Sequence, residues 1–127
     1  MSNIVFRSSW ELRVFKWCDN NPNVLRWASE EIVIRYRAPL DQQMHRYFPD
    51  VWVEVRAADG SVRQSILEIK PDAQTRPPVA KKGKRKSVHA REVARWLVNE
   101  AKWNAAKEFC EQRGLQFFLV TEKTLRL

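Results

Sequence analysis

Glycine is scarce in this 127-residue chain, occurring only at positions 60, 83 and 114. That excludes a glycine-rich loop of the kind that cradles phosphates, which needs several glycines within a few residues. Cysteine is scarcer still. Cys18 and Cys110 lie far apart, so neither a disulfide framework nor a zinc-ligand spacing can be drawn. Both fall in helical patterns and are expected to be reduced, half-buried thiols of a cytosolic protein. Ser8 and Ser9 have no His or Asp arranged around them, which sets serine-hydrolase chemistry aside. No apolar run approaches the ~20 residues of a membrane span. The start "MSNIVFRSSW" lacks the apolar stretch of a signal peptide, so an intracellular soluble protein is expected.

What the chain does have is positive charge and apolar bulk. An apolar fraction of 44% with six tryptophans predicts one packed domain rather than a disordered chain. A net charge of +8 and a pI near 9.9 point to a polyanionic partner. Nucleic acid is the commonest such partner, with an anionic membrane or an acidic protein as alternatives. The charge is uneven: residues 73–91 contain no acid, yet hold Arg76, Lys81, Lys82, Lys84, Arg85, Lys86 and Arg91. Such a run is either a solvated loop or a set of phosphate contacts that supply affinity without reading sequence. Residues 71–87 show no apolar period and are expected to form a mobile basic loop.

Periodicity gives the frame. A helix is expected over 8–20, where Ser8 and Glu11 fit a capping box and "DNNPN" ends the pattern. Strands are expected over 31–37, 47–57 and 62–70, the last two joined as a hairpin through "AADG". A long helix over 88–113 presents Ala90, Val93, Ala94, Leu97, Ala101, Ala105 and Phe109 on one face, with Gly114 as its stop. A buried strand, "LQFFLVT", closes the order α-β-β-β-α-β. This is an α/β arrangement, a mixed sheet flanked by helices, with the long helix as crossover.

Within "SILEIKP" at 65–71, Glu68 and Lys70 lie two positions apart and therefore on one face of the strand. A half-solvated outer face shows the same triplet. The hairpin register separates the two readings. With Asp59-Gly60 as a two-residue turn, Asp50 opposes Ile69 and cannot meet Glu68. With the three-residue loop Ala58-Asp59-Gly60, Ala57 opposes Ser61 and Asp50 opposes Glu68. The two carboxylates would then lie roughly 5 Å apart at Cβ. Like charges so placed repel unless a cation lies between them, and carboxylates with water and phosphate oxygens are what Mg²⁺ prefers. Glu11 lies within about 60° of Val14, Phe15 and Cys18 on its helix, at 100° per residue. A carboxylate in that sector is either a capping partner or a functional acid.

"FPD" at 48–50 followed by "LEIK" at 67–70 resembles the PD-(D/E)-x-K nuclease superfamily. The stretches at 7–31, 45–50, 68–71 and 101–114 together look like the small head-completion nucleases of tailed bacteriophages. The chain is similar, more distantly, to the endonuclease subunit of cut-and-paste transposases. This resemblance implies a restriction-endonuclease-like core and Mg²⁺-dependent hydrolysis of DNA, with Mn²⁺ able to substitute. It implies Asp50, Glu68, Glu11 and the backbone carbonyl of Ile69 as metal ligands, and Lys70 as the catalytic lysine. Implied partners are double-stranded DNA and phage head or neck proteins, within an infected bacterial host or on the virion. A nuclease of restriction, repair or transposition type, and a non-catalytic DNA-binding head-joining protein, are the alternatives. His45 and Gln74 are accessory candidates; Trp96 and Trp103, a heptad apart, are expected at the core edge, with base stacking as the alternative.

Overall fold

Val14, Phe15 and Cys18 recur at helical spacing, and they are the residues buried by α1 (Ser9–Asn20). A computed structural model of the chain describes residues 9–124, so the capping role expected of Ser8 lies outside the described residues. Five strands follow α1: β1 (Val24–Ser29), β2 (Ile34–Arg37), β3 (Met44–Tyr47), β4 (Val51–Arg56) and β5 (Val62–Ile69). A 3-10 turn (Asp72–Thr75), the long helix α2 (Lys86–Arg113) and β6 (Gln116–Val120) complete the order.

The main sheet runs β1-β4-β5-β6, while β2 and β3 form a separate two-stranded ribbon. β4 pairs antiparallel with β1 and β5, and β6 lies parallel to β5, so the sheet is mixed and α2 is the crossover between its parallel strands. Gly114 ends α2 at φ +70°, a left-handed conformation that glycine takes without cost from a Cβ.

Strand alternation sends side chains to two cores. On one face Val51, Val53, Leu67, Ile69 and Val120 pack against Val14, Phe15 and Cys18 of α1. On the other, Ile66 meets Ile34, Tyr36 and Tyr47 of the ribbon and Ala106 and Cys110 of α2. Val51 and Ile66 are fully buried, and truncating a side chain of this kind to Ala costs about 2–5 kcal/mol. Both cysteines are free and buried rather than half-buried, and burial pushes the Cys18 thiol up to about 11.

Three expectations need correction. The strand expected over 47–57 is two strands, because Pro49 lacks the N–H that a continuous ladder would use. β1 had no counterpart among the expected strands, since "VLRWAS" carries an edge pattern with a register shift between Val24 and Arg26 rather than clean alternation. The fully buried residues of α2 are Asn99, Trp103, Ala106 and Cys110, while Ala101, Ala105 and Phe109 of the expected stripe pack half-buried against the core and Leu97 is exposed. The fully buried set is rotated from the alanine-rich stripe because the ribbon, not the sheet alone, sets what α2 covers.

Candidate active site

The tip of the β4–β5 hairpin decides the geometry at its far end. Ala57 N–H donates to the Ser61 carbonyl at 2.7 Å, and Gly60 N–H donates to the Ala57 carbonyl at 2.9 Å. Gly60 sits at φ +86°, the left-handed residue of a three-residue loop. The Asp59 carboxylate fastens the loop by accepting from Ser61 N–H at 2.9 Å and Oγ at 2.6 Å. The ladder then runs in even register from Arg56↔Val62 to Val51↔Leu67. Its next step places Asp50 opposite Glu68, on the face that carries Trp52 and Ile66.

Asp50 is 8% exposed and Glu68 5%, so both carboxylates are largely withdrawn from solvent. Asp50 Oδ2 accepts the Ile69 N–H at 2.7 Å, a buried hydrogen bond that fixes its carboxylate against the strand opposite. The Asp50 carbonyl accepts the N–H of Glu30, which turns sharply there at φ +55°. Glu68 has no such anchor for Oε1, which is buried without a hydrogen-bond partner. Burial, and then the charge of Asp50, push the Glu68 carboxyl up to about 7. The Tyr47 hydroxyl and the Lys70 ammonium beside it pull the other way. Lys70 Nζ is 3.9 Å from Glu68 Oε2, with the Lys70 backbone N–H held by the Val120 carbonyl of β6 at 2.9 Å.

Two residues of this site lie within the stretches at 45–50 and 101–114 but are not among the candidates drawn from them. The buried Tyr47 lies against Glu68, its hydroxyl lacking a hydrogen bond of good geometry, and burial raises its ionisation far beyond the ordinary phenol range. Lys102 of α2 places Nζ 5.8 Å and 5.6 Å from the ring centroids of Tyr36 and Tyr47. Tyr47 stands just before "FPD" and could have been suspected; nothing in the helical spacing of Lys102 marks it.

Glu11 occupies the first turn of α1, half-buried, next to the apolar sector. α1 packs on the opposite sheet face from Asp50 and Glu68. Among the described residues no three His, Cys, Asp or Glu side chains are gathered closely enough to form a metal cage. The pair alone suits Mg²⁺, which keeps waters and commonly takes only one or two protein carboxylates with substrate phosphates completing its shell. The unsatisfied Glu68 Oε1, buried beside a second acid, is the feature of the fold that such an ion would satisfy.

The remaining candidates separate clearly. His45 is exposed on β3 and engaged by Asp41 at 2.8 Å rather than by either buried acid. Lys81, Lys82, Arg85, Lys86 and Arg91 are exposed. Arg76 is paired with Asp72 at 2.8 Å, and Lys84 ties its segment to α2 through Glu92 at 2.7 Å. Gln74 lines a polar cavity of about 400 Å³ that begins at Pro71, just past Lys70. A larger, apolar cavity of about 850 Å³ lies between α1 and β6 and holds none of the acids. No helix among the described residues is long and apolar enough to cross a membrane.

Residues 21–122 match the family described as TnsA-like endonuclease N terminal. The head completion nuclease of Enterobacteria phage T4 is 38% identical over 126 residues, covering 97% of this chain and 81% of that protein. No solved structure gives a significant match.

Proposed function

The chain belongs to the TnsA-like endonuclease N-terminal family, and on that premise we propose that it is a Mg²⁺-dependent DNA nuclease acting in phage head completion. The setting follows the T4 relative, whose name describes a nuclease of head completion. The finer reading is hydrolysis of packaged phage DNA so that the head can be joined to a tail. The observation that carries the reaction is the buried Asp50–Glu68 pair, with Glu68 Oε1 unsatisfied and Lys70 beside it.

Asp50 and Glu68 would hold the ion, with the carbonyl of Ile69 as a further ligand of this reading. When bound, the ion supplies Lewis-acid stabilisation of the charge that develops on the phosphate and lowers the pKa of an attacking water. Asp50 is held for that task by the Ile69 N–H, so its carboxylate need not reorganise. Lys70, beside Glu68 and 28% exposed along its side chain, can reach a phosphate oxygen or orient the water. The exposed cations at 81, 82, 85, 86 and 91 supply backbone affinity for double-stranded DNA.

The test is incubation of plasmid DNA with the protein and Mg²⁺ or Mn²⁺, with and without chelator. Cleavage that stops with chelator and is lost in Asp50→Ala supports the assignment. Cleavage that survives Asp50→Ala would refute the site, and an inert wild type would favour a DNA-binding head-joining role.

A further inference from the structure

The segment leaving the active site folds back over α2 and leaves the polar cavity of about 400 Å³ between them. Its volume falls in the roughly 300–1,000 Å³ range of small-molecule sites. Pro71 and Gln74 form one wall. Arg95, Trp96 and Asn99, within one turn of α2, form the other, and Lys81 stands at the rim.

Asn99 is the unusual member. It sits on the buried face of α2 with 5% exposure, where an apolar residue would be expected, and it lines the cavity. Trp96 is half-buried, with its ring set edge-on to the buried Trp103 at 5.9 Å between centroids. Trp103 thereby holds the Trp96 ring in place at the cavity wall. A held aromatic ring, an amide at the wall and cations at the rim are the three elements that receive a nucleotide: stacking for the base, hydrogen bonds for its edge, charge for its phosphate.

We propose that this cavity receives one unpaired nucleotide of the substrate strand next to the cut. The inference rests on the nuclease reading above and adds its substrate class. That class is DNA with single-stranded character at the cleavage position, a tail or flap on a duplex, in preference to a blunt duplex. Pro71 lines the cavity and directly follows Lys70 in the chain, which sets the cavity near the residue that would face the reacting phosphate.

The experiment measures binding of the full chain, by fluorescence anisotropy with chelator present, to a blunt duplex and to the same duplex carrying a short single-stranded tail. The wild type is expected to bind the tailed duplex about ten-fold more tightly, the scale of one stacked base. Trp96→Leu is expected to remove that preference while leaving blunt binding unchanged, and Trp96→Phe to keep most of it. Should Trp96→Leu fail to fold, Arg95→Gln at an exposed position serves instead, with the preference expected to fall several-fold. Equal binding of both duplexes by the wild type overturns the nucleotide site and leaves the nuclease reading standing. Failure to bind either duplex overturns both.

Discussion

Asp50 and Glu68 oppose each other across the β4–β5 hairpin, and the hydrogen bond from the Ile69 N–H stabilises only Asp50. The two acids are therefore not equivalent. Asp50 is anchored by a backbone donor, whereas Glu68 meets both desolvation and its neighbour's charge with one oxygen unsatisfied. Like charges placed directly opposite on a sheet are destabilising, so the metal-free fold holds a repulsion that a cation would relieve.

That repulsion has a pH signature. The folded Glu68 carboxyl is raised from 4.5 to about 7, so the folded state binds its proton more tightly than the unfolded chain does. The penalty is absent below about pH 4.5, grows as pH rises and is complete above about pH 7. Glu68→Gln is expected to stabilise the metal-free protein by roughly 1–3 kcal/mol at pH 8, with the difference vanishing near pH 4.5. Thermal or urea melts in chelator at both pH values check this. A variant less stable than wild type at pH 8 would show that Glu68 is held by favourable contacts instead.

Gly60 sets the loop from which the register follows, and its φ of +86° is a conformation that L side chains rarely adopt. A Cβ added there meets nothing within 4 Å, so the cost of Gly60→Ala is backbone strain without a clash. About 1–2 kcal/mol of stability should be lost, less in Gly60→Asn. Cleavage below the melting temperature should be unchanged, because the acids are positioned by the ladder once it has formed. A comparison of melting curves with cleavage rates tests both halves.

Lys70 is separated from Asp50 in what its loss should do. Lys70→Ala removes a cation that touches the reacting phosphate in the proposed reaction, but leaves in place the two acids proposed to hold the metal. Cleavage should fall by about 10²–10³-fold. DNA affinity should change far less, because the exposed cations supply most of it. Single-turnover cleavage beside a binding titration distinguishes the two. A matching loss of binding would make Lys70 a phosphate anchor and nothing more.

Parts of this site were legible in the sequence for a simple reason: they obey local rules. A glycine at the end of an odd-length loop, alternation along β5 and a stop glycine after α2 are all set by neighbours in the chain. The elements that escaped are set by distant packing. β1 holds its place as an edge strand against β4 through Trp27 opposite Val53 and an Arg26–Glu54 pair, none of which shows as alternation. β3 exposes Met44, His45 and Arg46 and buries only Tyr47, so four residues offered no period to read. Asn99 broke the apolar stripe of α2 because the cavity beside it, formed by residues far back in the chain, gives a polar side chain room.

The basic segment divides into cations free for DNA and cations committed within the fold. Replacing Lys81, Lys82, Arg85, Lys86 and Arg91 with Gln should weaken binding and flatten its dependence on salt. The log–log slope should change by about 0.9 for each phosphate that the protein no longer neutralises. Lys84→Gln should instead loosen the segment, since its ammonium bridges Glu92 at 2.7 Å and the Val79 carbonyl at 3.0 Å. Protease susceptibility near 79–85 reads that effect, and titrations at several salt concentrations read the first. An unchanged slope in the five-fold variant would remove these residues from the DNA interface.

Glu11 offers the sharpest division between a structural and a functional acid. It lies in the first turn of α1, where a carboxylate also favours the helix through its dipole, worth about 0.3–1 kcal/mol. Glu11→Gln removes the charge and keeps the shape. If the residue serves α1 alone, the variant should melt slightly lower and cleave normally. As the third acid of the metal site it should do the reverse, keeping most of its stability while losing cleavage, with a higher Mg²⁺ concentration needed for half-maximal rate. The Mg²⁺ titration is the decisive readout, because a helix made marginally less stable has no route to change it. Val14, Phe15 and Cys18 bury the same helix face and stay in place in either case, so α1 remains docked for the comparison.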